Sequence, residues 1–482
     1  MTIPVSHKVP GQTQNKRHIL LAVLTVASLL LLGCTVGPKY TRPAVPTPPA
    51  YRGADDTPVS SANANSLGDE NWAQVFHEPE LQQLIQTALA NNFDVRIAAQ
   101  RVLEQQAQLR ITRSQQFPSI TVGGSGLGAD LPSSLASGVP TGTISAGSFN
   151  LSAAWIPDFW GLYRRQTQAA RAQLLAQTWA QRAVRLTLVQ QVADAYFQLR
   201  ALDAQLAISQ ETLKTRQESV QLTKTLEQGG SVPLSDLREA QELEYTASAQ
   251  IPQLEQQIQQ QENGLRLLLG QNPGPVAHTD PTALNPPPQN LPVGLPSRLL
   301  ERRPDILEAE EQLIAANAQI GVARAQFFPQ LSISGSGGVG GDSWSTLFAP
   351  SGKLIYGIGS LTQPIFEGGK LRGQLQLSEH QKQEMLIDYQ KTIAGAFRDV
   401  SNALIAVNKQ RDARQQQQLL VAAAADATRL ARVRYQGGAT SYLEVLTTDS
   451  DLYSAQLNLV TTEEGEALSL VQLYGALGGG WQ

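Results

Sequence analysis

The chain has 482 residues, a formal net charge of −4, only 16% charged side chains and a single cysteine. That balance excludes a broad polyanion-binding surface, and one cysteine excludes an internal disulfide framework. Enzyme chemistry also lacks its parts. Beyond residue 33 only His77, His278 and His380 remain, widely separated, with no His-Glu zinc motif and no phosphate-binding glycine loop. Met385 is the one methionine of that region, so a methionine ladder for copper is absent. No catalytic residue, metal ligand or cofactor is assigned.

At the start, Lys8, Lys16 and Arg17 precede an apolar run from Ile19 to Leu32. A basic segment, an apolar core of about 14 residues and Gly33 before the cut predict an export signal over 1–33, too short for a typical membrane span. Its removal leaves a formal charge of −7 (34 minus 41). Leu31-Leu32-Gly33-Cys34 resembles the bacterial lipoprotein signal, in which the cysteine becomes the acylated first residue. Thr35 beside it resembles the outer-membrane version. Lipidation of Cys34 is therefore expected, against the plainer reading of an incidental cysteine in the signal core; acyl chains would anchor the N-terminus.

From Cys34 to about residue 70 the chain is rich in Pro, Ala, Ser and Thr without periodicity, which predicts an extended surface tether, with order beginning near Trp72. A short helix is expected around Pro79 to Ala90 and a second over about 93–116. Period-two alternation follows Phe117-Pro118: Ile120 and Val122, then, after a Gly/Ser/Pro-rich loop over Leu127 to Ala146, Phe149, Leu151, Ala153 and Trp155. These predict strands over about 118–127 and 147–156, of a length that spans an outer membrane. Leu331 and Ile333, then Leu354, Tyr356 and Ile358 after a loop around Gly340 to Gly352, repeat the arrangement over about 329–339 and 352–365. A small soluble sheet is the plainer alternative.

Four strands cannot close a barrel, and an open edge in lipid leaves backbone amides unpaired. If the strands enter a membrane, subunits must share one barrel, with eight strands in a dimer or twelve in a trimer.

Helices of exceptional length follow, over about 158–228 and 367–436, with shorter ones over about 232–269, 304–327 and 441–476. Leu188, Val192, Ala195, Leu199, Leu202 and Leu206 recur at alternating spacings of four and three, as do Ile393, Phe397, Val400, Leu404 and Val407. That is a coiled-coil seam. About 70 residues at 1.5 Å each reach roughly 105 Å, far beyond the needs of a compact domain. The shorter helices of each copy match one long helix if they stack end to end, giving four columns per subunit.

Gly229-Gly230 and Gly437-Gly438 interrupt the long helices 208 positions apart (437 minus 229), and Phe117-Pro118 and Phe328-Pro329 show a similar offset of 211. The chain is a tandem repeat, 71–270 and 297–477, joined by a proline-rich linker over 271–296 and ended by a tail over 478–482. The glycine pairs are hairpin tips, about 100 Å from the strands by helix length. Ser441 and Glu444 read as a capping box.

Leu295-Pro296-Ser297-Arg298-Leu299-Leu300-Glu301-Arg302-Arg303-Pro304-Asp305-Ile306 and Val36-Gly37-Pro38-Lys39-Tyr40-Thr41-Arg42-Pro43 closely resemble the lipoprotein (NodT-type) branch of the TolC-like outer-membrane efflux channels. Pro157-Asp158-Phe159-Trp160-Gly161 and Pro364-Ile365-Phe366-Glu367-Gly368-Gly369 look like that family's strand-to-helix turns, and Tyr435 to Leu446 like its periplasmic tip. The resemblance implies an α+β fold, mainly long α-helices in a periplasmic α-barrel, plus four β-strands per subunit in a shared trimeric 12-stranded outer-membrane β-barrel. It further implies a homotrimer in the cell outer membrane that docks to a periplasmic adaptor and an inner-membrane efflux pump. Drug, solvent, metal and peptide cargo are all compatible with this chain.

The tip carries an acid in each copy, Asp236 and Glu444, in the first turn after the glycines. As a gate, these acids would converge in a trimer and resist closure unless paired. As plain structure, they complement helix dipoles. Many relatives in that family place Asp one turn further on, where Thr447 stands here, so that ring is either neutral or replaced by Asp449 or by Glu239 of the first copy. Arg432, Arg434 and Tyr435 at the preceding helix end are candidate partners, the arginines for acids of a neighbouring subunit. Gly229, Gly230, Gly437 and Gly438 are candidates for the turns that meet the adaptor. The competing function is a lipid-anchored trimeric coiled-coil spacer or adhesin without a conducting lumen; it does not need paired strands in both copies.

Overall fold

Both period-two stretches form strands, and the four strands join in one antiparallel sheet. The computed structural model of the protein describes residues 35–53, 66–131, 142–277, 292 and 294–481. The export signal, Cys34, His278 and most of the linker lie outside the described residues. In chain order the first repeat holds α1 (Trp72–Val75), α2 (Pro79–Asn91), α3 (Phe93–Ser114), β1 (Ser119–Leu131), β2 (Gly142–Trp155), α4 (Leu162–Gln228) and α5 (Leu234–Leu268). The second repeat follows with α6 (Pro296–Arg302), α7 (Pro304–Ala325), β3 (Gln330–Gly341), α8 (Trp344–Leu347), β4 (Lys353–Thr362), α9 (Lys370–Gln436) and α10 (Tyr442–Ala476). At 67 residues each, α4 and α9 are about 100 Å long. Among the described residues no helix is long and apolar enough to cross a membrane.

Two compact units emerge, each drawing on both repeats. The first takes the described parts of Met1–Pro43, Glu104–Leu175 and Glu311–Ile387, and the second those of Ala44–Leu103, Ala176–Glu310 and Asp388–Gln482.

In the first unit the strand order is β1-β2-β3-β4. Directly paired residues share a face, so the register sorts the side chains. Val122, Leu151, Gly337 and Ile355 form one row, and Thr121, Ser152, Ser336 and Tyr356 form a row on the opposite face. The first face is apolar, with Ile120, Val122, Phe149, Leu151, Trp155, Ile333, Ile355 and Leu361 all exposed. The second is lined by hydroxyls, with pairs Ser125–Ser148 at 2.8 Å, Ser152–Ser336 at 3.1 Å and Ser332–Ser360 at 2.6 Å.

Two sequence expectations change here. The β1–β2 ladder continues to Leu131 and Gly142, inside the stretch read as loop; backbone pairing tolerates the Gly/Ser run that propensity disfavours. Leu354, Tyr356 and Ile358 of β4 do not share a face with Leu331 and Ile333. They pair with Gly338, Ser336 and Ser334 on the hydroxyl face. Alternation sets parity within a strand, and only the register sets it between strands.

In the second unit the helical seam is buried where it was expected, at Leu188, Val192, Ala195 and Leu199 of α4 and at Ile393, Val400, Leu404 and Val407 of α9; Leu202, Leu206 and Phe397 are only half-buried. The short helices meet end to end through side chains that serve two helices at once. Asn92 accepts from Asp94 N and Val95 N at the start of α3 and donates to Leu268 O at the end of α5, 2.9 Å away. Arg303, just before α7, donates to Ala476 O at the end of α10 over 3.1 Å and pairs with Asp305.

The tether is more ordered than its composition suggests. Tyr51 is buried and its ring packs 6.4 Å from Phe397, while Asn408 donates to Gly53 O over 3.0 Å. Ser66 caps a turn over Leu67–Asp69. One aromatic anchor is enough to dock a segment whose average composition is that of a linker.

Candidate functional site

Both hairpin tips in the second unit are built from the same backbone device. At the end of α4, Gly230 N donates to Glu227 O and Ser231 N to Leu226 O; at the end of α9, Gly438 N donates to Tyr435 O and Ala439 N to Arg434 O. These are Schellman closures, and Gly230 and Gly438 supply the required left-handed conformation at φ 73° and 68°. A small core lies beneath them: Ala240, Ala431, Tyr442 and Val445 are buried, with Val220, Tyr435 and Leu446 packed against them. It therefore receives side chains from α4, α5, α9 and α10, and the Tyr435 and Tyr442 rings stand 5.1 Å apart.

An ion cluster ties the same four helices. Arg216 of α4, almost fully buried, donates from Nε to Asp449 Oδ2 over 3.0 Å and from Nη1 to Leu243 O of α5 over 2.8 Å. Arg432 of α9 donates to the other oxygen, Asp449 Oδ1, over 3.0 Å. Its side chain is 42% exposed against 4% for Arg216, so the two arginines differ mainly in desolvation.

The remaining candidates separate into distinct environments. Arg434 donates to Glu444 Oε1 over 2.7 Å, and the Thr440 hydroxyl donates to Glu444 Oε2. Ser441 makes no side-chain cap bond, so the expected capping box does not form; the arginine and threonine hold the carboxylate that would have reached back. Asp236 is half-buried near Tyr435, whose hydroxyl is pushed above its ordinary value by burial first and by Asp236 next. Glu239 is half-buried one turn beyond Asp236. Thr447 is exposed and its hydroxyl donates back to Leu443 O over 2.9 Å. Both arginines expected to reach acids of a neighbouring subunit are paired within their own chain. Arg216 and Leu243 carry no local sequence signal, because their partners lie far along the chain.

In the first unit the residues after Cys34 form a strap. Val36 N donates to Trp160 O over 3.1 Å. Arg165, buried on α4, donates to Val36 O at 3.1 Å and Gly37 O at 3.2 Å, and Asn317 donates to Pro38 O at 3.2 Å. Trp160 in turn stacks on Phe328 at 4.8 Å and donates to Pro329 O over 2.7 Å, joining the turns of the two repeats. The strap thus ends at the strand-to-helix turn, with Thr35 against Gly161.

These features have close parallels. A sequence model described as outer membrane efflux protein matches residues 84–271 and 295–479, leaving out the proline-rich linker between them. The chain is 36% identical over 464 residues to the toluene efflux pump outer membrane protein TtgC of Pseudomonas putida, covering 96% of each. It is 34% identical over 456 residues to the cation efflux system protein CusC of Escherichia coli, covering 94% of this chain and 98% of that one. Its fold is similar to the crystal structure of the open state of the Neisseria gonorrhoeae MtrE outer membrane channel, with a TM-score of 0.80 and 29% identity over 93% of this chain and 99% of that one. A sheet with one apolar and one hydroxyl face, paired 67-residue helices and a match across both repeats lead to one assignment: the chain belongs to the outer membrane efflux protein family and is an outer-membrane efflux channel.

Proposed function

We propose that this channel works as a homotrimer in which three four-stranded sheets close a twelve-stranded barrel and the helices form a tunnel that meets a periplasmic adaptor and an inner-membrane pump. The observation that carries the reading is the sheet itself. Among the described residues β1 and β4 each pair on one side only, and an open edge in lipid costs several kcal/mol per unpaired group. Neighbouring copies remove that cost by pairing β4 with the next β1. The tips are the inner mouth, held shut in part by the Arg216–Asp449–Arg432 cluster. Cys34 carries the covalent lipid, one residue ahead of the strap that begins at Thr35 beside Gly161. The channel conducts passively and performs no catalysis. Relatives named for toluene and for cation efflux are similar to it over nearly the whole chain, which supports cargo selection by the partners.

Purified protein added to a planar bilayer tests this, with Asp236→Ala and Glu444→Ala variants run in parallel and crosslinking used to count subunits. Discrete conductance, in the wild type or a variant, together with a crosslinked trimer is the expected result. The absence of both conductance and trimer would overturn the channel reading, and a trimer that conducts in no form would leave the spacer in its place.

A further inference from the structure

The hydroxyl face of the sheet is not uniformly polar. Three successive rows across it read Ser119, Ala154, Ser334, Ile358, then Thr121, Ser152, Ser336, Tyr356, then Gly123, Asn150, Gly338, Leu354. Each row is small or polar on three strands and ends in a large apolar residue on β4. Leu354, Tyr356 and Ile358 are 62%, 48% and 54% exposed, so neighbouring side chains do not cover them. On the same strand Gly357 and Gly359 point to the apolar face, where bulk is expected on a lipid-facing strand. The amphipathicity of β4 is therefore partly inverted, and its pairing to β3 shows that the inversion is not a shift of register.

We propose that Leu354, Tyr356 and Ile358 form an apolar stripe on the channel-lining face, repeated in each copy, and that it offers a contact track to amphiphilic cargo with an aliphatic or aromatic part. This rests on the shared-barrel reading above, in which the hydroxyl face becomes the lumen. Exposed apolar surface facing water is costly unless something apolar transiently covers it. A wall with hydroxyls on three strands and a stripe on the fourth lets polar cargo pass along the serines. Apolar parts gain weak, repeated contacts along β4, with no deep site to hold them.

The test uses the full-length protein in lipid nanodiscs and single cysteines at Tyr356, Ser336 and Ile355, labelled with a sulfonated maleimide and with N-phenylmaleimide. Tyr356→Cys and Ser336→Cys are expected to react with the sulfonated reagent about tenfold faster than Ile355→Cys. If Ser336→Cys reacts but Tyr356→Cys is as slow as Ile355→Cys, the stripe lies outside the lumen and this proposal alone falls. If Ser336→Cys is also slow, the shared barrel falls and takes the stripe with it. The second arm keeps Ser336→Cys and replaces Leu354, Tyr356 and Ile358 by Ser. The preference for N-phenylmaleimide over the sulfonated reagent should drop at least threefold, and Tyr356→Phe alone should preserve it. An unchanged preference in the triple variant overturns the contact track. Sulfonated labelling of Ser336→Cys in the triple variant itself reports that its barrel has formed; loss of that labelling, with wild-type labelling at the Ser336→Cys single site, would overturn the track in favour of a structural role for the stripe.

Discussion

Arg216 Nε donates to Asp449 Oδ2 over 3.0 Å between residues 233 positions apart, linking the first hairpin to the second. Because the same guanidinium also holds Leu243 O, and the same carboxylate also holds Arg432, this bond is the centre of the tip. Removing Arg216 leaves Asp449 half-paired in a largely buried place and takes from Leu243 O the donor it has beyond its helical bond. Arg216→Ala is therefore expected to cost about 2–3 kcal/mol, and Arg432→Ala less than about 1 kcal/mol. Thermal midpoints of the two variants, and of each combined with Asp449→Ala, read the difference. Equal losses would contradict the ranking.

Glu466 is almost fully buried, with Arg414 Nε at 2.9 Å and Arg411 Nε at 3.6 Å. Among the described residues its charge is balanced by those two side chains, which retain partial solvent access. Glu466→Gln should lower stability by about 2–3 kcal/mol, below the full cost of breaking a buried pair because the arginines can rehydrate. Denaturant midpoints at matched slope measure it.

Asp194 sits half-buried on α4 with Oδ1 unpartnered, and desolvation pushes its carboxyl up to about 6 from 3.8. Above that value the carboxylate is charged in both folded and unfolded chains, and only the folded one bears the desolvation penalty; below about 4 it is neutral in both. Stability is thus lost as pH rises through this window. Asp194→Asn should raise the thermal midpoint at pH 7.5 and leave it unchanged at pH 4. A gain at pH 4 of equal size would contradict the cause.

The strap after Cys34 depends on the fork of Arg165, whose two bonds to Val36 O and Gly37 O need divergent donors. Arg165→Ala should speed amide exchange over residues 35–43 about tenfold, the effect of about 1.4 kcal/mol, and Arg165→Lys should recover only part of the protection because a lysine lacks the fork. Exchange measured by mass spectrometry on the lipidated protein checks this.

The fold was largely legible where local chemistry determines structure. Gly230 and Gly438 end helices because no other residue adopts that backbone cheaply, so the tips and the duplication could be read from spacing. What stayed hidden depends on contacts across the chain or on which of several local partners takes a side chain. Nothing near Arg216 points to Asp449, and nothing near Glu444 shows that Arg434 and Thr440 take the carboxylate from the expected capping box. The phase of β4 is hidden for the same reason: the alternation of Leu354, Tyr356 and Ile358 is plain, but its face is set by pairing with Ser334 and Ser336. Average composition describes the extended run of the tether but hides Tyr51 and Leu67, the apolar side chains that bury in it.

In the shared-barrel proposal one chain supplies four strands to a barrel that only several copies can close. The most direct test of that proposal mixes isotopically light and heavy protein in the outer membrane, with a photo-reactive residue in place of Thr121 on β1. Crosslinked peptides should join β1 of a light chain to residues 353–362 on β4 of a heavy one, in a ladder that stops at three. Crosslinks confined within one chain, or a ladder that stops at two, would contradict the account.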